Sequence, residues 1–402
     1  MAIVLTGAAA RGAFQAGALA ELIPALSRDG ITPSIWLGTS AGAINAALWC
    51  SKAHLGAERA AQELLDIWSH MGDGNVYRPL VPFALETALQ YAAGFLGRGH
   101  GTTSLLDTQP MMRTTDDLMD TDQLAENVTT GVVDAVGVVA SRVPTNAEDT
   151  VVGAASGRSV LFLHEREASG YVGDPGRALD VVRTPLDKEH VLASSAIPVA
   201  FRPVQVTTPT QATAWYVDGG VRLNAPLQPA IGLGATRIVV VAATAITYSQ
   251  PPGPDLSSEG PDIADASAEL LHAVLADRMV EDLQTLTRVN DLLRQAPLTH
   301  PTKGTSSTAR QPYRPIEVVA VSPQAGELPA LASTVYEHKT RGLGRLTDMD
   351  NWLVGKFIRG AGDRAGRREL LSYILFDKEY FARSIELGRT AAAQALRTGF
   401  QT

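Results

Sequence analysis

The chain has 402 residues, 45% hydrophobic and 19% charged, a composition that can bury a sizeable core and excludes an intrinsically disordered protein. A formal net charge of -8, with no cluster of lysine and arginine, excludes a general nucleic-acid binder and provides no overall attraction to anionic lipid. The single cysteine, Cys50, cannot form an intramolecular disulfide and lies in an apolar helix-like run, which fits a buried residue in a reducing compartment.

The start, Met1 to Leu5, runs straight into a glycine turn, without the basic residues, long apolar stretch and cleavage site of a secretory signal. No run approaches the roughly 18 apolar residues of a membrane span. A cytoplasmic protein is therefore expected, with membrane contact only at the periphery.

Ala2 to Leu5 reads as a strand, Thr6-Gly7 as a turn, and Arg11 to Leu26 as a helix with Phe14, Leu19, Leu22, Ile23 and Leu26 at helical spacing. A second unit repeats the order: strand Ser34 to Leu37, turn Gly38 to Gly42, helix Ala43 to Lys52. Two strand-turn-helix units predict a parallel α/β sheet. Further strands are predicted at Val132 to Val139, Val151 to Val152, Val160 to Leu163, Ala214 to Val217, Ile238 to Ala243 and Ile316 to Val321. Several are continuous Val/Ile runs, as in strands buried on both faces. Helices are predicted at Ala57 to His70, around Leu124, and at Asp187 to Ser195, Ala264 to Arg294 and Arg367 to Arg397.

The Pro/Gly/Ser-rich stretch from Tyr248 to Pro261 and the similar one from Pro297 to Pro315 read as exposed loops. Neither marks a domain boundary. Residues 1–402 are therefore expected to form a single domain, with the core at about 1–245 and residues 246–402 adding helices and one strand, at Ile316, to the same sheet. Pro82 to Gly97 carries Phe83, Leu85, Leu89, Tyr91, Phe95 and Leu96 with one charge, Glu86. Without a basic polar face, it suits a cap packed over a pocket better than a membrane-surface helix.

Three short motifs carry chemistry. Gly38-Thr39-Ser40-Ala41-Gly42 is a G-x-S-x-G sequence between a strand and a helix, where a serine on a sharp turn stands clear of the sheet and the new helix offers free amides to an oxyanion. The same pentapeptide suits a glycine turn in which Ser40 only caps the helix. Gly7-Ala8-Ala9-Ala10-Arg11-Gly12 also joins a strand to a helix, and its small residues let backbone amides approach a ligand. With Ala9 in place of a fingerprint glycine and no P-loop lysine, a dinucleotide or phosphate loop is disfavoured, while a plain tight turn stays open. Arg11 could orient that loop, hold a phosphate head group or cap carbonyls. Tyr216-Val217-Asp218-Gly219-Gly220 places an aspartate at a strand end, where it could take a serine proton, although Asp-Gly is also a favoured hairpin pair.

In this order the three motifs resemble the patatin-like phospholipase family. The blocks Ala193-Ser194-Ser195-Ala196-Ile197-Pro198 with Phe201-Arg202-Pro203, and Asp218-Gly219-Gly220 through Asn224-Ala225-Pro226-Leu227, are similar to that family too. So is the tail from Leu375-Phe376-Asp377 to Ile385-Glu386-Leu387-Gly388-Arg389. The resemblance implies a three-layer α/β/α fold with a mostly parallel central sheet and the serine on a strand-turn-helix elbow. It further implies a serine lipid acyl hydrolase, a phospholipase A or carboxylic ester hydrolase, working through an acyl-enzyme. Ser40 would be the nucleophile and Asp218 the base; Gly38, Ala41 and Gly42 would shape the elbow, and Gly219 and Gly220 the base turn. Gly7, Ala8, Ala9, Ala10, Arg11 and Gly12 would form the oxyanion loop.

Where the family loop usually has consecutive glycines, this chain has Ala8 and Ala9, and alanine resists positive φ. A fold retained for binding or regulation with weakened catalysis is therefore one alternative. An ordinary Ser-His-Asp esterase is another; its base would be His272, His300 or His338, none of which sits in a recognisable catalytic frame. No cofactor is implied, and no His/Cys/Asp/Glu cluster has metal-ligand spacing. The expected partner is a lipid or other acyl ester, not nucleic acid; oligomeric state is not legible.

Overall fold

The structure is a computed structural model and describes residues 1–71, 119–144, 158–198, 201–246, 269, 278–295, 314–340 and 365–399. The predicted cap at 82–97, the strand at 151–152, His272 and His300 lie outside the described residues.

Strand β1 (Ala2–Leu5) lies between β2 (Ile35–Thr39) and β9 (Arg237–Val241), and β10 (Glu317–Val321) continues the parallel group beyond β9. On the other side β2 pairs in parallel with β3 (Ala135–Val143). Beyond β3 the direction reverses: β4 (Ser159–Glu165) runs antiparallel to it, followed by β6 (Leu179–Arg183) and the two-residue β5 (Gly173–Asp174). An antiparallel pair, β7 (Val204–Val206) and β8 (Ala214–Asp218), joins the sheet through β3.

The central strands are apolar on both faces because both are covered. Ile3, Leu5, Trp36, Val239 and Val241 belong to one core. The residues that alternate with them, Ala2, Val4, Leu37, Ile238 and Val240, belong to the other, as the two-residue period of a strand requires. Over the first face lie α1 (Gly12–Arg28), α2 (Ala41–Lys52), α3 (Ala57–His70) and α10 (Lys378–Thr398), supplying Phe14, Leu19, Trp49, Leu64, Trp68 and Phe381. The second face is covered by α6 (Leu227–Gly232) and α7 (Arg278–Gln295) through Leu227, Ala230, Met279 and Val280. The result is a three-layer α/β/α arrangement around a mixed, mostly parallel sheet.

Helix α10 crosses α1 at two glycines. A Cβ on Gly17 would stand 2.1 Å from the Ile385 carbonyl oxygen, and one on Gly388 would stand 2.0 Å from that of Phe14. Only glycine permits this approach. The remaining helices are α4 (Thr121–Thr129), α5 (Lys188–Ser194), α8 (Glu327–Thr340) and α9 (Ala365–Ile374).

Several boundaries differ from the sequence expectation. The helix expected over 367–397 is two, α9 and α10, because Asp377 caps a new start by accepting the amides of Glu379 and Tyr380. The strand expected at 132–139 begins at Ala135 and runs on to Val143. Of the helix expected over 264–294, α7 begins at Arg278; most of the preceding stretch is outside the described residues. Strands β5 to β7 and helices α6 and α8 carried no expectation.

Strand pairing around β3 positions the site. Strand β4 occupies one edge of β3 from Ala135 to Ser141, so β8, which pairs with Ala140 to Val143, must use the other edge, the one β2 uses up to Val139. Parallel β2 and antiparallel β8 thus approach each other head to head along the same edge.

Candidate active site

Strand β2 ends at Thr39 and α2 begins at Ala41, so Ser40 alone makes the turn, with φ 57 and ψ -129. Such a backbone is strained for a residue with a Cβ and costs about 1–3 kcal/mol. Its neighbours explain how it is held. A Cβ on Gly38 would meet the Gly42 carbonyl oxygen at 2.3 Å, and one on Gly42 would meet that of Leu5 at 2.5 Å. The Ser40 amide donates to Ser194 Oγ at 3.0 Å, and that hydroxyl donates to the Val139 carbonyl at 2.6 Å. The Ser40 carbonyl accepts the amides of Ala43 and Ile44. Ser40 is 5% exposed.

Asp218 ends β8 and is also 5% exposed. Its amide donates to the Ala196 carbonyl at 2.8 Å, and its Oδ1 accepts the Gly220 amide at 2.7 Å. The register of the two strands on β3, with Thr39 opposite Val139 and Asp218 opposite Ala140, brings Ser40 beside this carboxylate. Burial raises the Asp218 pKa to about 6, against the opposing pull of the Ser40 and Gly220 hydrogen bonds. Gly219 is pressed against β3, where a Cβ would lie 2.1 Å from the Val139 carbonyl oxygen.

The loop from Gly7 to Gly12 flanks the same serine. A Cβ on Gly7 would lie 3.3 Å from Ser40 Cβ, and Ala8 packs with Ala41, the residue after the serine, and with Ala243. The Gly7 amide is taken by Asn224 Oδ1 at 2.8 Å, whereas the amides of Ala8 and Ala9 donate to none of the described residues. Ala9 has φ 46, the left-handed backbone that alanine resists; Ala8, at φ -143, does not. Ala10 and Arg11 complete a 3-10 turn with the Arg11 amide on the Ala8 carbonyl, and α1 follows from Gly12. At Gly12 a Cβ would press on Trp68 at 2.6 Å.

A buried polar network supports this loop. Gln15 Nε2 donates to the carbonyls of Thr6 and Val241 at 2.9 and 3.1 Å. Asn45 Nδ2 donates to the Gly12 carbonyl and to Gln15 Oε1, both at 3.1 Å, and Asn45 Oδ1 accepts from Trp68 Nε1 at 2.7 Å. Arg11 is turned into the protein, 2% exposed and already paired, which leaves it unable to hold a phosphate head group at the surface.

One alternative base and two further titratable side chains lie elsewhere. His338, near the end of α8, is an exposed side chain 3.5 Å from Glu379. His190 is buried, but its Nδ1 accepts the Asp187 amide in a capping box and its Nε2 bonds the Thr208 carbonyl, so it is occupied structurally. Cys50 is buried in α2, and burial pushes its thiol pKa well above the ordinary value. Among the described residues no three His, Cys, Asp or Glu side chains gather as metal ligands. Two residues important to the geometry, Ser194 and Asn224, lie in the blocks Ala193 to Pro198 and Asp218 to Leu227, where sequence alone gave them no role. Their partners, Ser40 and Gly7, are too distant in the chain for local patterns to reveal.

The model of a family described as Patatin-like phospholipase matches residues 3–231. Curated proteins give no match. Among solved structures, the crystal structure of VipD from Legionella pneumophila aligns with 100% of this chain and 67% of that chain, at 12% sequence identity and a TM-score of 0.30.

Proposed function

The chain belongs to the patatin-like phospholipase family, and on that premise we propose that it is a serine lipid acyl hydrolase using Ser40 and Asp218 as a catalytic dyad. The observation that carries this reading is the end-to-end meeting of β2 and β8 on β3, which sets a serine in a strained elbow beside a buried aspartate whose pKa is raised to about 6. A carboxylate is a poor base for an alcohol in water, and burial with a tuned pKa is what makes it an effective one near neutral pH.

In the first half-reaction the Ser40 Oγ attacks the ester carbonyl as its proton passes to Asp218. The amides of Ala8 and Ala9 stabilise the oxyanion of the tetrahedral intermediate. As this collapses, Asp218 returns the proton to the departing alcohol and leaves an acyl-Ser40 ester. In the second half-reaction Asp218 takes a proton from water, which attacks the acyl carbonyl, and the proton then returns to Ser40 Oγ. Asp218 ends each cycle as it began.

The proposed substrate is a phospholipid or another acyl ester, met by a cytoplasmic protein with peripheral membrane contact; among the described residues no helix is long and apolar enough to cross a membrane. We propose further that residues 1–402 form one domain, since β10 adds to the same sheet as β1. The positive φ of Ala9 favours one second reading, a binding scaffold with weakened catalysis. Mass spectrometry of products from a mixed lipid panel tests both: the dyad predicts released fatty acid from the wild-type protein, none from Ser40→Ala, and release slowed by about 100-fold or more from Asp218→Asn. Release by the Ser40→Ala protein would end the dyad reading, and a wild type that releases none would favour the scaffold.

A further inference from the structure

The oxyanion loop of the proposed site is tied to a helix far away in sequence. Arg11 Nε donates to Ser372 Oγ at 3.0 Å, and Nη2 pairs with Glu369 Oε1 at 2.6 Å. Nη1 donates to the Ala243 carbonyl at 3.3 Å, and the guanidinium lies 3.8 Å above the Tyr373 ring. Three of these four partner residues are on α9, which lies beyond the 3–231 span matched by the family. That helix is itself fixed: the Tyr380 hydroxyl of α10 donates to the Ser372 carbonyl at 3.0 Å, and α10 is pressed onto α1 at Gly388.

This arrangement commits the whole guanidinium fork to partners other than Ser40 and Asp218. A buried arginine whose guanidinium hydrogen bonds, among the described residues, go to one helix and to the Ala243 carbonyl is a rigid strut, because the planar fork allows few alternative geometries. It is attached at the last residue of the 3-10 turn that contains Ala9, the residue forced to φ 46. A strained backbone persists only where its surroundings over-determine it.

We propose that Arg11 is a positioning residue and that α9 is a working part of the acyl-transfer site, holding the Ala9–Arg11 turn so that the amides of Ala8 and Ala9 are directed at the oxyanion. The proposal rests on the hydrolase reading above. It assigns to α9 a part in catalysis that is exerted through Arg11 and the turn it holds.

Ser372→Ala and Glu369→Gln test this, since each loosens the strut while retaining Arg11. Three quantities are read in the full chain: kcat and KM on a short soluble ester, the fraction of Ser40 titrated by a fluorophosphonate, and amide hydrogen exchange at Ala8 to Arg11. The expected result is kcat per titrated Ser40 lowered by about 10- to 100-fold with KM within about twofold, and faster exchange confined to the loop. A merely structural strut would lower the titrated fraction and leave kcat per titrated site unchanged, which would overturn the proposal. A fall in kcat without faster exchange would overturn it as well. If the wild-type protein is neither active nor titrated, the hydrolase reading fails separately, and loop exchange equal to wild type in both variants would then show that α9 does not hold the turn.

Discussion

Thr39 and Asp218 meet end to end on one edge of β3, Thr39 opposite Val139 and Asp218 opposite the next residue, Ala140. A parallel strand and an antiparallel strand that share an edge in this way bring their ends together, so the serine that follows Thr39 faces the aspartate.

The raised Asp218 pKa sets the acid limb of the rate profile. The base must be ionised, so kcat/KM should fall about tenfold per pH unit below about 6 and level off above it. Initial rates on a soluble ester from pH 4.5 to 8 measure this; a profile flat through pH 6 would contradict the role of Asp218. Asp218→Asn should lose about 100- to 10,000-fold in kcat.

The same shift predicts a stability change of opposite sign to the activity loss. A carboxyl with its folded pKa raised from 3.8 to about 6 binds more protons folded than unfolded between those values, so its contribution to stability declines as pH rises through that window. Above about pH 6 the ionised, buried group costs on the order of 3 kcal/mol, and below about pH 4 it costs nothing. Asp218→Asn should therefore be more stable than wild type at pH 8 and equal to it at pH 3.5, as urea unfolding at the two pH values would measure.

Ala8 and Ala9 should respond oppositely to glycine. At Ala9, φ 46 makes Ala9→Gly stabilising by about 1 kcal/mol, while at Ala8, φ -143 makes Ala8→Gly destabilising by about 0.5–1 kcal/mol. Denaturation midpoints of the two variants check this. Equal effects would place the backbone strain elsewhere.

Much of this site was legible from residue order alone. The turns that carry Ser40 and Asp218 were legible as turns, but local chemistry left each open, as a helix cap or a hairpin pair, and only the order of the three motifs and its resemblance to a family suggested their roles. The sheet order was not legible, because the meeting of β2 and β8 depends on β4 occupying the opposite edge of β3, a pairing between segments far apart. Nor could sequence separate Ala8 from Ala9, since only the path of the turn decides which takes positive φ. The break between α9 and α10 was hidden by Leu375 and Phe376, which continue the apolar pattern across it; the cap on Asp377 ends it.

Asn224 holds the loop from the other side. Asn224→Ala leaves the buried Gly7 amide without its 2.8 Å acceptor, a loss worth about 1–3 kcal/mol, and should also lower kcat by loosening the amides that follow. Chemical denaturation together with steady-state kinetics reads both effects. Loss of stability with kcat unchanged would confine Asn224 to the fold.

The helix crossing makes a sharper stability prediction. Gly388→Ala puts a methyl group 2.0 Å from the Phe14 carbonyl oxygen, and separating α10 from α1 should cost about 1–3 kcal/mol or more. A melting temperature unchanged from wild type would mean that the two helices do not pack this closely.

The most direct measurement is acid quenching of the wild-type protein during turnover of a soluble ester, followed by peptide mass spectrometry. The dyad mechanism predicts one acyl group, carried by Ser40 on the peptide from Asp29 to Lys52 and absent from Ser40→Ala. Sustained product release with the acyl group on another residue, or unchanged in the Ser40→Ala protein, would contradict it.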